Sequence, residues 1–218
     1  MNKLNAAIYH IKMPDKIKRL PISSEGYPTP WFVATLPDGT RDFRVADEGK
    51  MYDAIKRSLC WVCGQQLGVH KAFILGPMCV ITRTTSEPPS HLECAEYSAV
   101  ACPFLTKPKM RRNRAEDLPE GHERPGGVML DRNPGVCAIW VTRSFKLFRE
   151  QNKILFTVGD PEKVMWLAGG RAARRPEIDE SIRTGLPFLE AMAEDEGPEA
   201  EQDLAAKIAR AQALLPVV

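Results

Sequence analysis

The sequence predicts an α+β chain, with small antiparallel β-hairpins and helices built around a metal site. Three observations carry that expectation. Cys60-Trp61-Val62-Cys63-Gly64 and Ser90-His91-Leu92-Glu93-Cys94 form a C-x2-C pair and an H-x2-C pair, separated by residues 64–90. Thiolate and imidazole in two tight pairs suit tetrahedral Zn²⁺, which has no geometric demand of its own. Short runs rich in β-branched and aromatic residues recur on both sides of the pairs, each bounded by Gly, Pro or Asp. Amphipathic stretches with helix-start signals follow several of them.

Taken in order, residues 1–20 are weakly patterned. Leu4, Ile8 and Ile11 fit helical spacing, but Pro14 interrupts it, and a short helix and an edge strand both stay open. Trp31–Leu36, the turn Pro37-Asp38-Gly39 and the alternation around Phe43 and Val45 predict a hairpin. Asp47 is placed to cap a helix carrying Met51, Ile55 and Leu59 into Cys60. Ala72–Leu75 and Met78–Ile81 around Gly76-Pro77 predict a second hairpin. After Pro88-Pro89, Ser90 and Glu93 form a capping box for a helix from His91 to about Cys102. His91 and Cys94 then share one face of its first turn.

Residues 103–135 are rich in Pro and Gly and contain the basic cluster Lys107, Lys109, Arg111, Arg112 and Arg114. They read as a solvated loop or linker. The chain accordingly divides into an N-terminal region, 1–106, a basic Pro/Gly-rich segment, 107–135, and a C-terminal region, 136–218. In the last, Val136–Val141 reads as a buried strand. Ile154–Val158 and Val164–Leu167 read as a hairpin around Gly159-Asp160-Pro161-Glu162. Pro176 opens a helix with Ile178 and Ile182, expected to end at Gly185, with a further turn or two from Pro187. Pro198 opens the last helix, with Leu204, Ile208, Ala211 and Leu215 on one face. No internal repeat is visible.

Hydrophobic residues make up 44% of the chain and charged residues 27%, which places it among ordinary globular proteins rather than disordered polyelectrolytes. A net charge of +2 means that nucleic-acid binding would need a local patch. The N-terminus lacks a secretory apolar run and no stretch reaches membrane-spanning length, so a cytoplasmic, membrane-free protein is expected. In a reducing compartment the paired cysteines point to metal rather than to disulfides. Cys79, Cys102 and Cys137 lack a partner at chelating spacing and read as core, with Cys102 the substitute ligand should His91 not serve.

The order knuckle, hairpin, helix, with one ligand pair in the knuckle and one in the first helical turn, resembles a treble-clef zinc finger over Cys60 to about Cys102. The resemblance makes Cys60 and Cys63 the knuckle ligands, and His91 and Cys94 the helix ligands. Treble clefs also form the core of HNH nucleases, which need a base on the hairpin and further metal-binding residues on the helix. Here His70 is the one histidine placed for such a base. Its neighbour is Val69, and the helix offers Glu96 but no further His or Asn. Over more of the chain, Cys60–Gly64, Gly76-Pro77-Met78-Cys79, Glu87-Pro88-Pro89-Ser90-His91 and Cys102-Pro103-Phe104-Leu105 resemble uncharacterised proteins encoded by tailed phages and prophages. That resemblance implies a viral accessory protein in a bacterial host cytoplasm and no particular activity.

The expectation is a non-enzymatic, zinc-stabilised binding protein that engages a host or phage macromolecule, a protein partner being favoured. The alternative is a nucleic-acid-binding protein using Lys107 to Arg114, or an HNH-like nuclease using His70. A structural site with four protein ligands leaves no open position for water. The basic loop and the acidic stretch Glu190–Asp203 could each dock an oppositely charged surface. Arg171, Arg174 and Arg175 form a second basic patch, which either binds an anion or precedes a helix.

Overall fold

The computed structural model describes residues 3–107, 110, 118–119, 125–127 and 133–216. It has the predicted class: small antiparallel sheets and helices, with a cluster of metal-ligating side chains. The chain opens with a single 3-10 turn, Ala6–Ile8, and the one-turn helix α1 (Asp15–Lys18). Strands β1 (Val33–Thr35) and β2 (Arg41–Ala46) form the first hairpin as expected. Asp38 closes its turn, accepting from the Thr40 amide and hydroxyl at 2.9 and 2.6 Å. Helix α2 (Glu48–Arg57) is capped by Asp47, which accepts from the Lys50 amide at 3.1 Å.

The region between the ligand pairs departs from expectation. Strand β3 (Lys71–Leu75) is present, but Pro77 starts helix α3 (Pro77–Thr82) where a second hairpin arm was expected. Pro at the first helical position lacks only an amide that would be unpaired there anyway. A short strand β4 (Thr84–Thr85) follows, then helix α4 (Leu92–Ala101) and the single turn α5 (Pro103–Thr106). Ser90 does not cap α4. It is buried, and its amide and carbonyl both bond to Ala72, each at 2.8 Å, so His91 becomes the N-cap.

The C-terminal half contributes β5 (Cys137–Thr142), β6 (Phe145–Glu150), β7 (Lys153–Val158), β8 (Lys163–Ala168), β9 (Arg171–Ala172), α6 (Arg175–Glu196) and α7 (Pro198–Gln212). The predicted strands at β7 and β8 exist but do not pair with each other. β8 lies between β5 and β9 in the sheet β3-β5-β8-β9, whereas β7 lies between β4 and β6 in the sheet β4-β7-β6. Helix α6 does not stop at Gly185 but runs through it and through Pro187. Pro187 removes one bond, to the carbonyl of Arg183, which is an exposed residue. Helix α7 has the expected face, with Leu204 and Ala211 buried and Ile208 packed beside them.

Strand β5 is buried along its whole length and feeds two cores by its two-residue alternation. Ala138 and Trp140 face the larger core, with Phe73, Phe156, Trp166, Val80, Ile81 and residues of α6 and α7. Cys137, Ile139 and Val141 face Ala72 of β3 and Ala95 and Ala99 of α4. The small alanines let α4 lie close on the sheet. The two tryptophans of the larger core keep their N–H groups bonded, Trp140 to the Gly159 carbonyl at 2.9 Å and Trp166 to the Leu214 carbonyl at 3.0 Å. No described helix is long and apolar enough to cross a membrane.

Candidate metal centre

The first ligand pair is shaped by a tight turn. The Cys60 amide donates to the Gln65 carbonyl at 2.7 Å, the Gly64 amide donates to the Cys60 carbonyl at 2.8 Å, and Leu59 bridges to Gln66. Gly64 takes the left-handed conformation, φ +70°, and a Cβ there would sit 2.6 Å from Cγ of Trp31. The knuckle therefore needs glycine for both backbone shape and space. Trp61 anchors it from the other side, stacked on Phe32 at 4.8 Å with Trp31 edge-on at 6.5 Å.

The second pair is delivered by α4. The rudimentary strand pairing of Ala72 with Ser90 holds the chain extended until His91, and Cys94 follows in the first turn. The Sγ atoms of Cys60, Cys63 and Cys94 and a ring nitrogen of His91 all lie within 4.8 Å of one another. His91 Nδ1 is 3.4 Å from Cys63 Sγ and 3.9 Å from Cys94 Sγ, while its Nε2 is 2.9 Å from the Gln66 carbonyl. A carbonyl can only accept, so Nε2 carries the proton and Nδ1 offers its lone pair to the cluster. This outer partner is a main-chain atom, invisible to any reading of side-chain motifs. The amides of Cys63 and His91 also donate to Cys60 Sγ, at 3.5 and 3.4 Å, an arrangement that stabilises a thiolate.

Cys60 and Cys94 are fully buried and Cys63 nearly so, among Ile8, Ile17, Val62, Leu67, Tyr97 and Ala101. Three sulfurs this close and this dry cannot all carry charge without a cation. The Cys60 thiol is driven far down because it accepts from Cys63 and Cys94. The Cys63 thiol is pushed up to about 11 by its bond to Cys60, and that of Cys94 is pushed up further by its bonds to Cys60 and then Cys63. A bound cation replaces those shared protons and lets all three ionise. Lys16 of α1 pairs with Glu93 and also feels the Cys94 and Cys63 sulfurs, which raises its pKa, the Glu93 bond contributing most. It is placed to offset the surplus negative charge of three thiolates around a divalent ion. The donor set thus fits a soft or borderline divalent metal.

The other residues singled out from the sequence fall elsewhere. Cys102 is not part of the cluster, and His91 is. Cys137 is buried, which pushes its thiol up to about 12, with the nearby Cys102 adding to the effect. His70 lies just before β3, with its Nε2 3.2 Å from Glu162, which also accepts from Arg143 at 2.5 Å. The second basic patch is internally paired: Arg171 grips Glu177 at 2.6 and 2.9 Å, Arg174 closes the capping box of α6 with Glu177, and Arg175 bonds Asp179 at 2.8 Å. Of the basic loop, Lys107 is exposed. Lys109, Arg111, Arg112 and Arg114 lie outside the described residues.

No protein-family model, no curated protein and no solved structure matches the chain. What its geometry supports is a generic metal-binding cluster of three cysteines and one histidine in a mixed α and β fold.

Proposed function

We propose that the chain is a non-enzymatic binding protein stabilised by one structural Zn²⁺, held by Cys60, Cys63, His91 and Cys94 in a treble-clef-like arrangement. The observation that carries the reading is the convergence of these four ligand atoms from a knuckle and a helix start. A rudimentary strand pairing, Ala72 with Ser90, stands where a treble clef has its hairpin. Four protein ligands fill a tetrahedral metal, so the ion organises the chain rather than activating water. The partner is a macromolecule, with a protein favoured over nucleic acid because α6 and α7 carry the acidic stretch Glu190–Asp203. The sequence resemblance to phage and prophage proteins supports a setting in a bacterial cytoplasm, with a host or phage protein as the target.

Elemental analysis of the purified protein tests the metal, and one zinc per chain is expected. Incubation with plasmid and RNA in Mg²⁺, Mn²⁺ or Ni²⁺ tests the rest, and intact nucleic acid is expected. Cleavage abolished by His70→Ala would replace this reading with that of an HNH-like nuclease. Salt-sensitive retention on immobilised DNA or RNA would move the favoured partner to nucleic acid through the Lys107–Arg114 segment.

A further inference from the structure

Strand β6 ends the sheet β4-β7-β6, and its outer edge has no partner among the described residues. Its residues are almost all exposed, including Leu147 at 46% and Phe148 at 38%. An accessible six-residue edge with apolar side chains is a template for another strand.

The hairpin fixes which backbone groups are on offer. β6 and β7 are joined by Gln151 and Asn152 alone, both left-handed at φ 45° and 63°, as the two-residue turn of a twisted hairpin requires. Glu150 and Lys153 therefore form the hydrogen-bonded pair beside the turn, and the alternation places Lys146, Phe148 and Glu150 with their backbone groups toward β7. The bond from the Gly159 amide to the Ser144 carbonyl, at 2.9 Å, has the same parity. Phe145, Leu147 and Arg149 consequently direct their amides and carbonyls outward.

We propose that this edge pairs antiparallel with the same strand of a second copy, in the register that sets Phe148 opposite Phe148. An antiparallel ladder joins outward-bonding residues to outward-bonding residues, which excludes the neighbouring registers that shift the pairing sum by one. In particular it excludes the one facing Lys146 with Arg149. In the proposed register Leu147 and Arg149 of opposite copies exchange backbone hydrogen bonds. Phe148 meets Phe148 in the closer, non-bonded position, and Lys146 lies opposite Glu150 on both sides of it. Opposite charges at directly facing positions favour the pairing, and like charges oppose it. Lysine on an edge ordinarily wards off other strands. In this register its facing residue is Glu150 of the second copy, so the same lysine favours self-pairing. The two-fold axis makes the contact closed, so it stops at a dimer.

The test is the concentration dependence of mass, by sedimentation or light scattering, on the zinc-loaded full chain. A reversible shift from monomer towards dimer is expected in the micromolar range or above. Lys146→Glu and Glu150→Lys each place like charges opposite one another twice and weaken the dimer about tenfold. The double variant, Lys146→Glu with Glu150→Lys, restores the facing pairs and recovers most of the lost affinity. Melting curves of all three variants confirm that they fold. A monomer at every concentration, a dimer indifferent to the single reversals, or a double variant no better than the singles each overturns the proposal. None of these outcomes bears on the zinc site, which is read independently from the metal content.

Discussion

Replacing Cys60 by serine tests how far the metal and the fold are one thing. Cys60 is fully buried, accepts amides from Cys63 and His91, and touches both ligand pairs. Serine is close to isosteric but supplies a harder, shorter oxygen, so the expected loss is the metal rather than the packing. Structural zinc contributes roughly 10–16 kcal/mol in isolated zinc-finger peptides, as much as the roughly 5–15 kcal/mol that holds a typical domain together. The side chains around the site, Ile8, Ile17, Val62, Leu67 and Tyr97, form a small cluster that this loss is expected to open. The larger core around Trp140, Phe156 and Trp166 contains none of the ligands and is expected to persist. The tryptophans separate the two effects, since Trp31 and Trp61 sit at the knuckle and Trp140 and Trp166 in the larger core. In Cys60→Ser, emission should shift to the red at physiological temperature. In a Trp31→Phe/Trp61→Phe background the same substitution should leave emission unchanged until a later, second transition. One shared transition in both backgrounds, or a variant that keeps its metal and the wild-type melt, would refute the reasoning.

Metal affinity should rise with pH, because the free site holds thiol protons on Cys63 and Cys94 that the bound site must release. Competition with a chromophoric chelator between mildly acidic and neutral pH checks the sign, zinc being lost as pH falls. Gly64→Ala should destabilise the knuckle by about 1–3 kcal/mol through its left-handed backbone, with further loss from the collision with Trp31, and should weaken metal binding in the same chelator assay. Phe156→Ala removes a fully buried ring packed against Phe73 and Phe145. Urea titration should show a loss of about 3–5 kcal/mol with zinc content unchanged.

The cluster of Cys60, Cys63, His91 and Cys94 was legible because each pair is local. Two residues three apart in a knuckle or a helical turn must point the same way, so spacing alone brings Cys60 to Cys63 and His91 to Cys94. The first hairpin and the Asp47 cap were legible for the same reason. The misreadings concern partners distant in sequence, or runs too short to show their period. Met78–Ile81 is apolar whether strand or helix, and Pro77 as a helix opener decided it. Ser90 has the residue type of a cap, but Ala72, well before it in the chain, claims its backbone. Gly159–Glu162 is not a hairpin turn but an irregular connection between strands of different sheets, because β5 pairs with β8. Strand β6 sets Phe145 against the core and leaves its other five residues exposed, so no two-residue alternation marked it.

The pairing of β3 with β5 joins Leu75 to Ala138, across a long stretch of chain. During synthesis the knuckle and α4 emerge well before β5 does. All four candidate ligands are available as soon as Cys94 clears the ribosome, so the proposed metal would give the nascent chain an early fixed point. Until β5 arrives, however, Ala95 and Ala99 of α4 and Ala72 of β3 lack Cys137, Ile139 and Val141, the β5 side chains that complete their cluster. The half-made protein is thus a fragment with its candidate metal ligands assembled, an incomplete apolar cluster and an unfilled strand position. That interval is when it is most exposed to chaperones and to misassembly with its neighbours.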